Sequence, residues 1–526
     1  MSKKASTYLI PSIVLLVFIG SVVFFYFSIL NATSGNFVYP LDDTYIHLSI
    51  AKHWIVSGFP SINTGEFAFL TSSPLWTVLI AVFAFLEVHS EMLPFYISLF
   101  SAVILIIYLF YLFLPKFKNN VLLLFFILLI VFSASLPLLV IMGMEHLLHI
   151  SLLLVLFVNA GKFFRKDNNS KLFGLYVLVA LLPLVRYESF FAVGAIVLLL
   201  LLKKQFMRAS VVLIIAILPV ILVGLYSLAH GGTFLPTSLL LKGEFVNVHS
   251  LKGVIKTIVL YPVKKLVGIP ALLLIFVTAV ILLFNNRKKL LINDRAVPLF
   301  VFVITLIVHL LFAKTGWLFR YEAYLIVTGM VVIVLYLLEP AKENSKNYSM
   351  LVAALLVAIS LALLFRAYDS NSKIKPAAVN IYEQQWQMAD FFKKYYSGYN
   401  IAINDIGLIG YRANVNICDL WGLASNEIAA LKIKGQLNKE TINIVLDKKN
   451  VKIAAFYISW FYGDKKFYTK WFKAGTWEIK NNIVCGDNKV TFFAKDSTHF
   501  VNLVKNLIDY SGSLPETVIW KINSRR

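Results

Sequence analysis

Long apolar runs, separated by short clusters of Lys and Arg, fill the first two thirds of the chain. A run of roughly 17–25 apolar residues can cross a bilayer as a helix. Such runs lie near residues 8–30, 92–114, 121–141, 146–161, 171–185, 189–202, 209–229, 266–285, 296–313, 322–338 and 349–366. The run Pro74 to Leu86 is too short to span comfortably, and it is expected to form a half-buried or juxtamembrane helix returning to the side it came from. From about Ser370 the pattern changes. Residues 378–396 have an amphipathic helical spacing, and 498–510 look helical. Asn400–Asn404, Val451–Ser459 and Val490–Ala494 read as strands. The expected fold is a polytopic all-α membrane domain over 1–368, with about 11 transmembrane helices plus juxtamembrane helices. It carries an outer loop at 31–91 and is followed by a C-terminal soluble α/β domain at 369–526.

Composition supports this division. Of 526 residues, 59% are hydrophobic and 14% charged, against about 25% charged in a soluble domain. The formal charge of +22 would suggest nucleic acid in a soluble chain. Here the cations fall mainly in short loops between apolar runs, where they set topology and attract anionic lipid. No nucleic-acid partner is expected; membrane lipid is.

The basic loops give the direction. Lys3 and Lys4 place the N-terminus in the cytoplasm, and the first run is longer than a secretory signal core and lacks a small-residue cleavage site. If 74–86 does not cross, four basic loops become cytoplasmic. They contain Lys162/Arg165/Lys166/Lys171, Lys203/Lys204/Arg208, Arg287/Lys288/Lys289/Arg295 and Lys342/Lys346. If it crosses, all four fall outside. The first threading obeys the positive-inside rule and puts the C-terminal domain outside. One outer loop departs from the rule: 230–265 carries Lys242, Lys252, Lys256, Lys264 and Lys265, which could serve an anionic substrate. The two cysteines, Cys418 and Cys485, could pair in an extracytoplasmic domain, and no Cys/His cluster has metal-ligand spacing.

The same threading gathers on the outer side the polar groups that interrupt or end the runs. They are Asp42/Asp43, the S-S-P-L-W of 72–76, G-M-E at 143–145, R-Y-E at 186–188, H-G-G-T-F-L-P-T-S at 230–238 with Lys242, and R-Y-E at 320–322. Ionisable groups at membrane depth are costly and point to function. Each also has a plainer reading. Asp42 after Pro40–Leu41 suits a helix N-cap, with Asp43 favoured in the first turn. Glu145 could mark a helix interface, and Arg186–Glu188 and Arg320–Glu322 could be local ion pairs. His47 and His53 read as surface histidines. Ser73, Thr237 and Ser238 lack a His/Asp partner for a serine nucleophile. Ile46, Ile50 and Trp54 form one apolar stripe, as on a helix lying in the interface, and Trp54 and Trp76 suit an aromatic belt.

In order along the chain, D-D-T-Y-I, S-S-P-L-W, G-M-E, R-Y-E, L-P-T-S-L-L-L-K and R-Y resemble the GT-C class of integral-membrane glycosyltransferases. The likeness is nearest the branch containing the mycobacterial terminal arabinofuranosyltransferases, which show D-D-A-Y-I, T-N-P-L-W, G-M-E, R-P-E and L-P-N-S/T with a following Lys. N-D-I-G-L-I-G-Y (404–411) and I-C-D-L-W-G-L-A (417–424) are similar to that branch's D-A-G-x-x-x-Y and V-I-D-L-x-G-L. Tyr187 and Ser73 depart from its Pro and Asn. The likeness runs from about 40 to 425.

The resemblance implies a polyprenyl-phosphate sugar donor and a glycan, lipid or protein acceptor on the outer face of a bacterial cytoplasmic membrane. It makes Asp42 and Asp43 the catalytic candidates, with Asp42 slightly favoured. Tyr45, Trp76, Glu145, Arg186, Glu188, Lys242 and Arg320 become the candidates for holding donor phosphate or substrate. A carboxylate base and no covalent nucleophile would invert the anomeric carbon. No cofactor is required by this reading; a divalent cation at Asp42, Asp43 and Glu145 is compatible with it.

A transporter or flippase for lipid-linked sugars is the main alternative. Transporters tend to show inverted repeats and polar residues at mid-membrane, whereas here the mid-span stretches are almost purely apolar. A non-catalytic anchor has no use for six polar clusters, and a lipid-phosphate phosphotransferase would need an Arg/His phosphate signature that is absent.

Overall fold

The computed structural model describes residues 3–86, 90–164, 172–242, 251–285, 296–338, 346–461 and 471–523, with the side chains of 3–8, 242, 251–252 and 346–347 left aside. Arg165, Lys166, Lys171, Arg287, Lys288, Lys289, Arg295 and Lys342 lie outside the described residues. The chain divides into two compact units.

The first unit comprises Met1–Phe24, Phe95–Leu222 and Gly243–Ser372, and it is helical. Among the described residues of the chain, 6 helices are long and apolar enough to cross a membrane, or up to 7 if one bent pair counts as a single span. Phe173–Val185, Ser189–Leu202, Val297–Phe312 and Ala323–Leu338 are shorter apolar helices. Packing is specific: Val297–Phe312 lies on Ser189–Leu202, Ala323–Leu338 on His146–Asn159, and Lys346–Ser372 on Asn120–Ser133 and Pro270–Asn285. Leu138, Phe157, Leu182, Phe302 and Val327 are fully buried between them. Leu16, Tyr111, Val121 and Phe365 point outward and are exposed. A surface of this kind is stable in hydrocarbon and a liability in water.

The second unit comprises Phe25–Pro94, Val223–Lys242 and Lys373–Arg526. Contacts therefore group the Asp-Asp loop, which the sequence suggests as part of the membrane domain, with the C-terminal residues. Strands β1 (Ser61–Asn63) and β2 (Glu66–Phe67) form a small antiparallel pair. A six-stranded sheet follows, built from β3 (Asn400–Ile403), β4 (Asn416–Asp419), β5 (Ile453–Phe456), β6 (Phe472–Glu478), β7 (Lys489–Ala494) and β8 (Ile519–Ile522). Its order is β4-β3-β5-β7-β6-β8. β3 runs parallel to β4 and β5, and the remaining pairs are antiparallel. β5 is buried along its whole length, as expected of a central strand covered on both faces.

Strands β3, β5 and β7 fall on the runs read from the sequence. β4, β6 and β8 carry no such signal: β6 holds Gly475 at a register shift, and β4 has four residues. The amphipathic segment 378–396 is helical, with a π-helical turn at Tyr382–Trp386. Its apolar face places Phe391 against Trp477, Phe492 and Tyr510. Helix Ser497–Ser511 is capped by Asp496, whose carboxylate accepts the His499 N–H. Cys418 and Cys485 are both free and buried, so the pairing open to them by sequence is not made. Cys418 packs in an apolar cluster with Ala402, Ile442 and Phe493.

Candidate functional site

In the second unit the first acidic motif opens helix Asp42–Ser57. Leu41 occupies the N-cap position without a side-chain cap bond, and Asp42 and Asp43 both lie in the first turn. Asp42 is therefore not the N-cap of its own helix. Its Oδ2 accepts the N–H of Gly407 and its Oδ1 that of Leu408, each at 2.8 Å. Both oxygens are thus committed to the start of the short helix Gly407–Arg412. Approach of the two helices needs glycine. A Cβ on Gly407 would lie 2.2 Å from the Asp42 carbonyl oxygen, and one on Gly410 would lie 2.8 Å from Ser49 Oγ.

Behind this contact lies a polar core. The Asp405 carboxylate is 2.5 Å from the Tyr457 hydroxyl and accepts the Gln385 amide at 2.8 Å. The Tyr457 hydroxyl is also 2.5 Å from Gln384 Oε1. Burial, and next the charge of Asp405, push the Asp42 carboxyl up to about 8; the two backbone N–H groups act the other way. Low dielectric disfavours the charged form of a carboxyl. Burial also raises the Cys485 thiol.

Asp43 is half-buried beside Asp42. Tyr45 is fully buried, and its hydroxyl accepts the Tyr39 N–H at 3.1 Å. Trp76 has no exposed surface, so it is a core residue and not part of an aromatic belt. Its indole nitrogen has no hydrogen-bond partner among the described residues. Nor is helix 42–57 an interfacial one with a single apolar stripe. Residues Thr44 to Ala51 are buried on every side, because helices Pro74–Phe85 and Gly407–Arg412 cover it. His47 is buried too, with Nδ1 2.8 Å from Thr77 Oγ1. Lys242 ends helix Thr237–Lys242, and its side chain is outside the described residues.

A second pair of motifs meets in this unit. Thr237, from L-P-T-S, donates its hydroxyl to the carbonyl of Leu423 and its N–H to Phe69 O at 3.0 Å. Leu423 belongs to the turn after β4, which Asp419 holds by accepting the N–H groups of Trp421 and Ala424 at 2.8 and 2.7 Å.

The first unit gathers the other candidates. Arg186, between helices Phe173–Val185 and Ser189–Leu202, is bonded to Glu145 and reaches Glu188 at 2.5 Å. The G-M-E and first R-Y-E motifs thus meet in a buried ionic cluster. Arg320 is buried; its Nη1 lies 2.9 Å from Met144 Sδ. The Tyr321 ring lies under both guanidinium groups, 5.9 Å from Arg186 and 4.9 Å from Arg320. Glu322 pairs with Arg366 at 2.9 Å. Arg186, Arg320, Arg366, Glu145 and Glu322 are buried and Glu188 is half-buried, an arrangement stable only when charges and hydrogen bonds are matched. Arg366 is a residue that motif reading overlooks, though a lone cation near the end of an apolar run was the available signal. Gln384, Gln385 and Tyr457 carry no sequence signal at all.

Among the described residues, no three His, Cys, Asp or Glu side chains gather as a metal-binding group. Residues 379–493 match the family model described as a domain of unknown function, DUF8728. No curated protein matches the chain.

Proposed function

We propose that the chain is an inverting GT-C-type glycosyltransferase that moves a sugar from a polyprenyl-phosphate donor to a glycan, lipid or protein acceptor at the outer face of a bacterial cytoplasmic membrane. The finer topology belongs to this proposal: about 11 spans, a cytoplasmic N-terminus and an extracytoplasmic C-terminal domain. The observation that carries it is the Asp42 clamp. D-D-T-Y-I and N-D-I-G-L-I-G-Y are separated by more than three hundred residues, yet they meet through two backbone hydrogen bonds. Motifs that resemble one family and also assemble physically are better explained by a shared task than by helix capping.

The clamp supports a division of labour between the carboxylates that differs from the slight preference for Asp42 read from the sequence. Asp42, with both oxygens engaged, is a positioning residue, and Asp43 is the base. Asp43 takes the proton of an acceptor hydroxyl as that oxygen forms a bond to the anomeric carbon. The bond from that carbon to the donor phosphate breaks, and its electron pair leaves on the lipid phosphate. The leaving group is already an acid anion, so it needs cations and not a proton donor. Arg186, Lys242 and Arg320 are the cations that the resemblance assigns to it.

The test is release of free polyprenyl phosphate from polyprenyl-phosphate sugars by purified protein. Asp43→Asn is expected to lose about 100- to 10,000-fold in rate, and Asp42→Asn to lose activity together with stability. Normal release by Asp43→Asn would sink the assignment. Topology is tested apart from activity: a cysteine at Lys166 should be protected from an impermeant thiol reagent added outside intact cells.

A further inference from the structure

The two R-Y-E motifs share a local setting and differ in their pairing. Glu188 stands directly before helix Ser189–Leu202, and Glu322 directly before helix Ala323–Leu338. In the first motif Arg186 reaches its own Glu188 at 2.5 Å. An arginine two residues before a carboxylate in this setting is therefore within reach of it. In the second motif Glu322 Oε1 meets Arg366 at 2.9 Å, and its Oε2 accepts the Gly316 N–H at 2.8 Å. The local ion pair that the sequence suggests for Arg320 and Glu322 is not made.

What diverts Glu322 is a side chain from another helix. Arg366 lies near the end of helix Lys346–Ser372 and is buried. Its three guanidinium nitrogens are all engaged: Nε donates to the Ser133 carbonyl and Nη2 to the Phe319 carbonyl, each at 2.9 Å, while Nη1 meets Glu322. Ser133 ends helix Asn120–Ser133, where carbonyls lack a partner within the helix. The guanidinium also lies 5.0 Å over the Phe319 ring. A planar fork can hold two carbonyls and a carboxylate at once, which a lysine ammonium does not match.

The consequence falls on Arg320. The segment leading to it is left-handed: Gly316, Trp317, Leu318 and Phe319 have φ of 82°, 40°, 57° and 62°, where L residues other than glycine are disfavoured. Such backbone persists only when its surroundings hold it, and Glu322 and Arg366 bond to it at Gly316 and Phe319. Arg366 thus grips the chain on both sides of Arg320. Arg320 itself donates to Met144 Sδ at 2.9 Å and to the Tyr321 hydroxyl at 3.1 Å. An arginine bound to the carboxylate of its own motif spends its charge inside the fold, whereas one kept from it can meet an anion.

We infer that Arg366 is a positioning residue for Arg320: it takes up the carboxylate of the second R-Y-E motif, so that Glu322 does not neutralise Arg320 as Glu188 does Arg186. That the anion Arg320 meets is a departing lipid phosphate rests on the proposed function; the capture of Glu322 does not.

The test compares wild type, Arg366→Gln and Arg366→Gln/Glu322→Gln as full chains in detergent. Arg320 is labelled with phenylglyoxal and the site is read by mass spectrometry. In Arg366→Gln the carboxylate turns to Arg320, which should label about tenfold more slowly than in the double variant, because a bond to a charged group holds the guanidinium proton. Loosening of the fold would move labelling the other way. Release of polyprenyl phosphate per folded molecule should fall about 100-fold in Arg366→Gln, as on loss of one charge-stabilising donor, and the double variant should regain most of it. Equal Arg320 labelling in the two variants would overturn the proposal, and so would a double variant that stays as slow as Arg366→Gln. The double variant buries no lone charge of this pair, so it keeps the test open where Arg366→Gln does not fold: Arg320 labelling far below wild type would then overturn the proposal. Slower labelling in Arg366→Gln, in a protein whose wild type releases no polyprenyl phosphate from any sugar donor, would support the capture of Glu322 and refute the proposed function.

Discussion

Gly407 and Asp42 are joined twice over: the Gly407 N–H donates to the Asp42 carboxylate at 2.8 Å, and a methyl group on Gly407 would lie 2.2 Å from the Asp42 carbonyl oxygen. One contact requires the carboxylate and the other requires the absence of a side chain. Together they define how helices 42–57 and 407–412 pack.

Gly407→Ala should therefore destabilise the second unit by about 1–3 kcal/mol or more, because the obstructing atom is backbone and cannot swing aside. Gly410→Ala meets side-chain atoms that can shift, the Ser49 hydroxyl at 2.8 Å and Ile417 Cδ1 at 3.0 Å, and should cost less. Ser49→Gly should restore part of that loss in the double variant, and thermal unfolding of the three proteins checks the order.

The Asp42 carboxyl, raised from its ordinary 3.8 to about 8 by burial and by Asp405, gives this contact a pH dependence of known sign. The folded chain keeps a proton that the unfolded chain releases above about pH 4. Its stabilising contribution is complete below that pH and is lost as pH rises through about 8. Thiol labelling of buried Cys485 should accelerate across that window in wild type. In Asp42→Asn the slope should flatten, while labelling is faster at every pH because one backbone N–H faces an amide donor. A wild-type rate independent of pH would contradict the assignment.

Breaking the Glu322–Arg366 pair should cost more than any exposed ion pair. Arg366→Gln leaves Glu322 buried without its cation and removes the donor to the Phe319 carbonyl, a loss of about 3–5 kcal/mol. Trp317→Gly should act oppositely, gaining about 1 kcal/mol by relieving a left-handed residue. Melting temperatures in detergent distinguish the two, and a drop for Trp317→Gly as large as for Arg366→Gln would refute the strain argument.

Free cysteines make a simple chemical prediction. Both thiols should resist maleimide in the native protein and react fully after denaturation without reductant. A denatured mass unaltered by maleimide until reductant is added would show a disulfide in place of the two buried thiols.

Much of this protein was legible from residue pattern alone. Apolar run length places the helices, because a helix in hydrocarbon must satisfy its own backbone and cover itself with apolar side chains. The alternation and composition beyond Ser370 mark strands β3, β5 and β7 for the same local reason. The candidate residues Asp42, Glu145, Arg186 and Arg320 also stood out, since ionisable groups beside apolar runs are costly and conspicuous. Tertiary structure alone decided what each of them contacts. Asp42 and Gly407 are far apart in sequence, and no local period encodes that a carboxylate in one helix will take up the first N–H groups of another. Trp76 and the first half of helix 42–57 look interfacial in isolation and are buried, because burial depends on what packs against a face as well as on the face itself. The left-handed run at 316–319 is equally invisible in sequence: Trp, Leu and Phe have no preference for positive φ, and Glu322 and Arg366, folded onto that segment, bond to its backbone at Gly316 and Phe319.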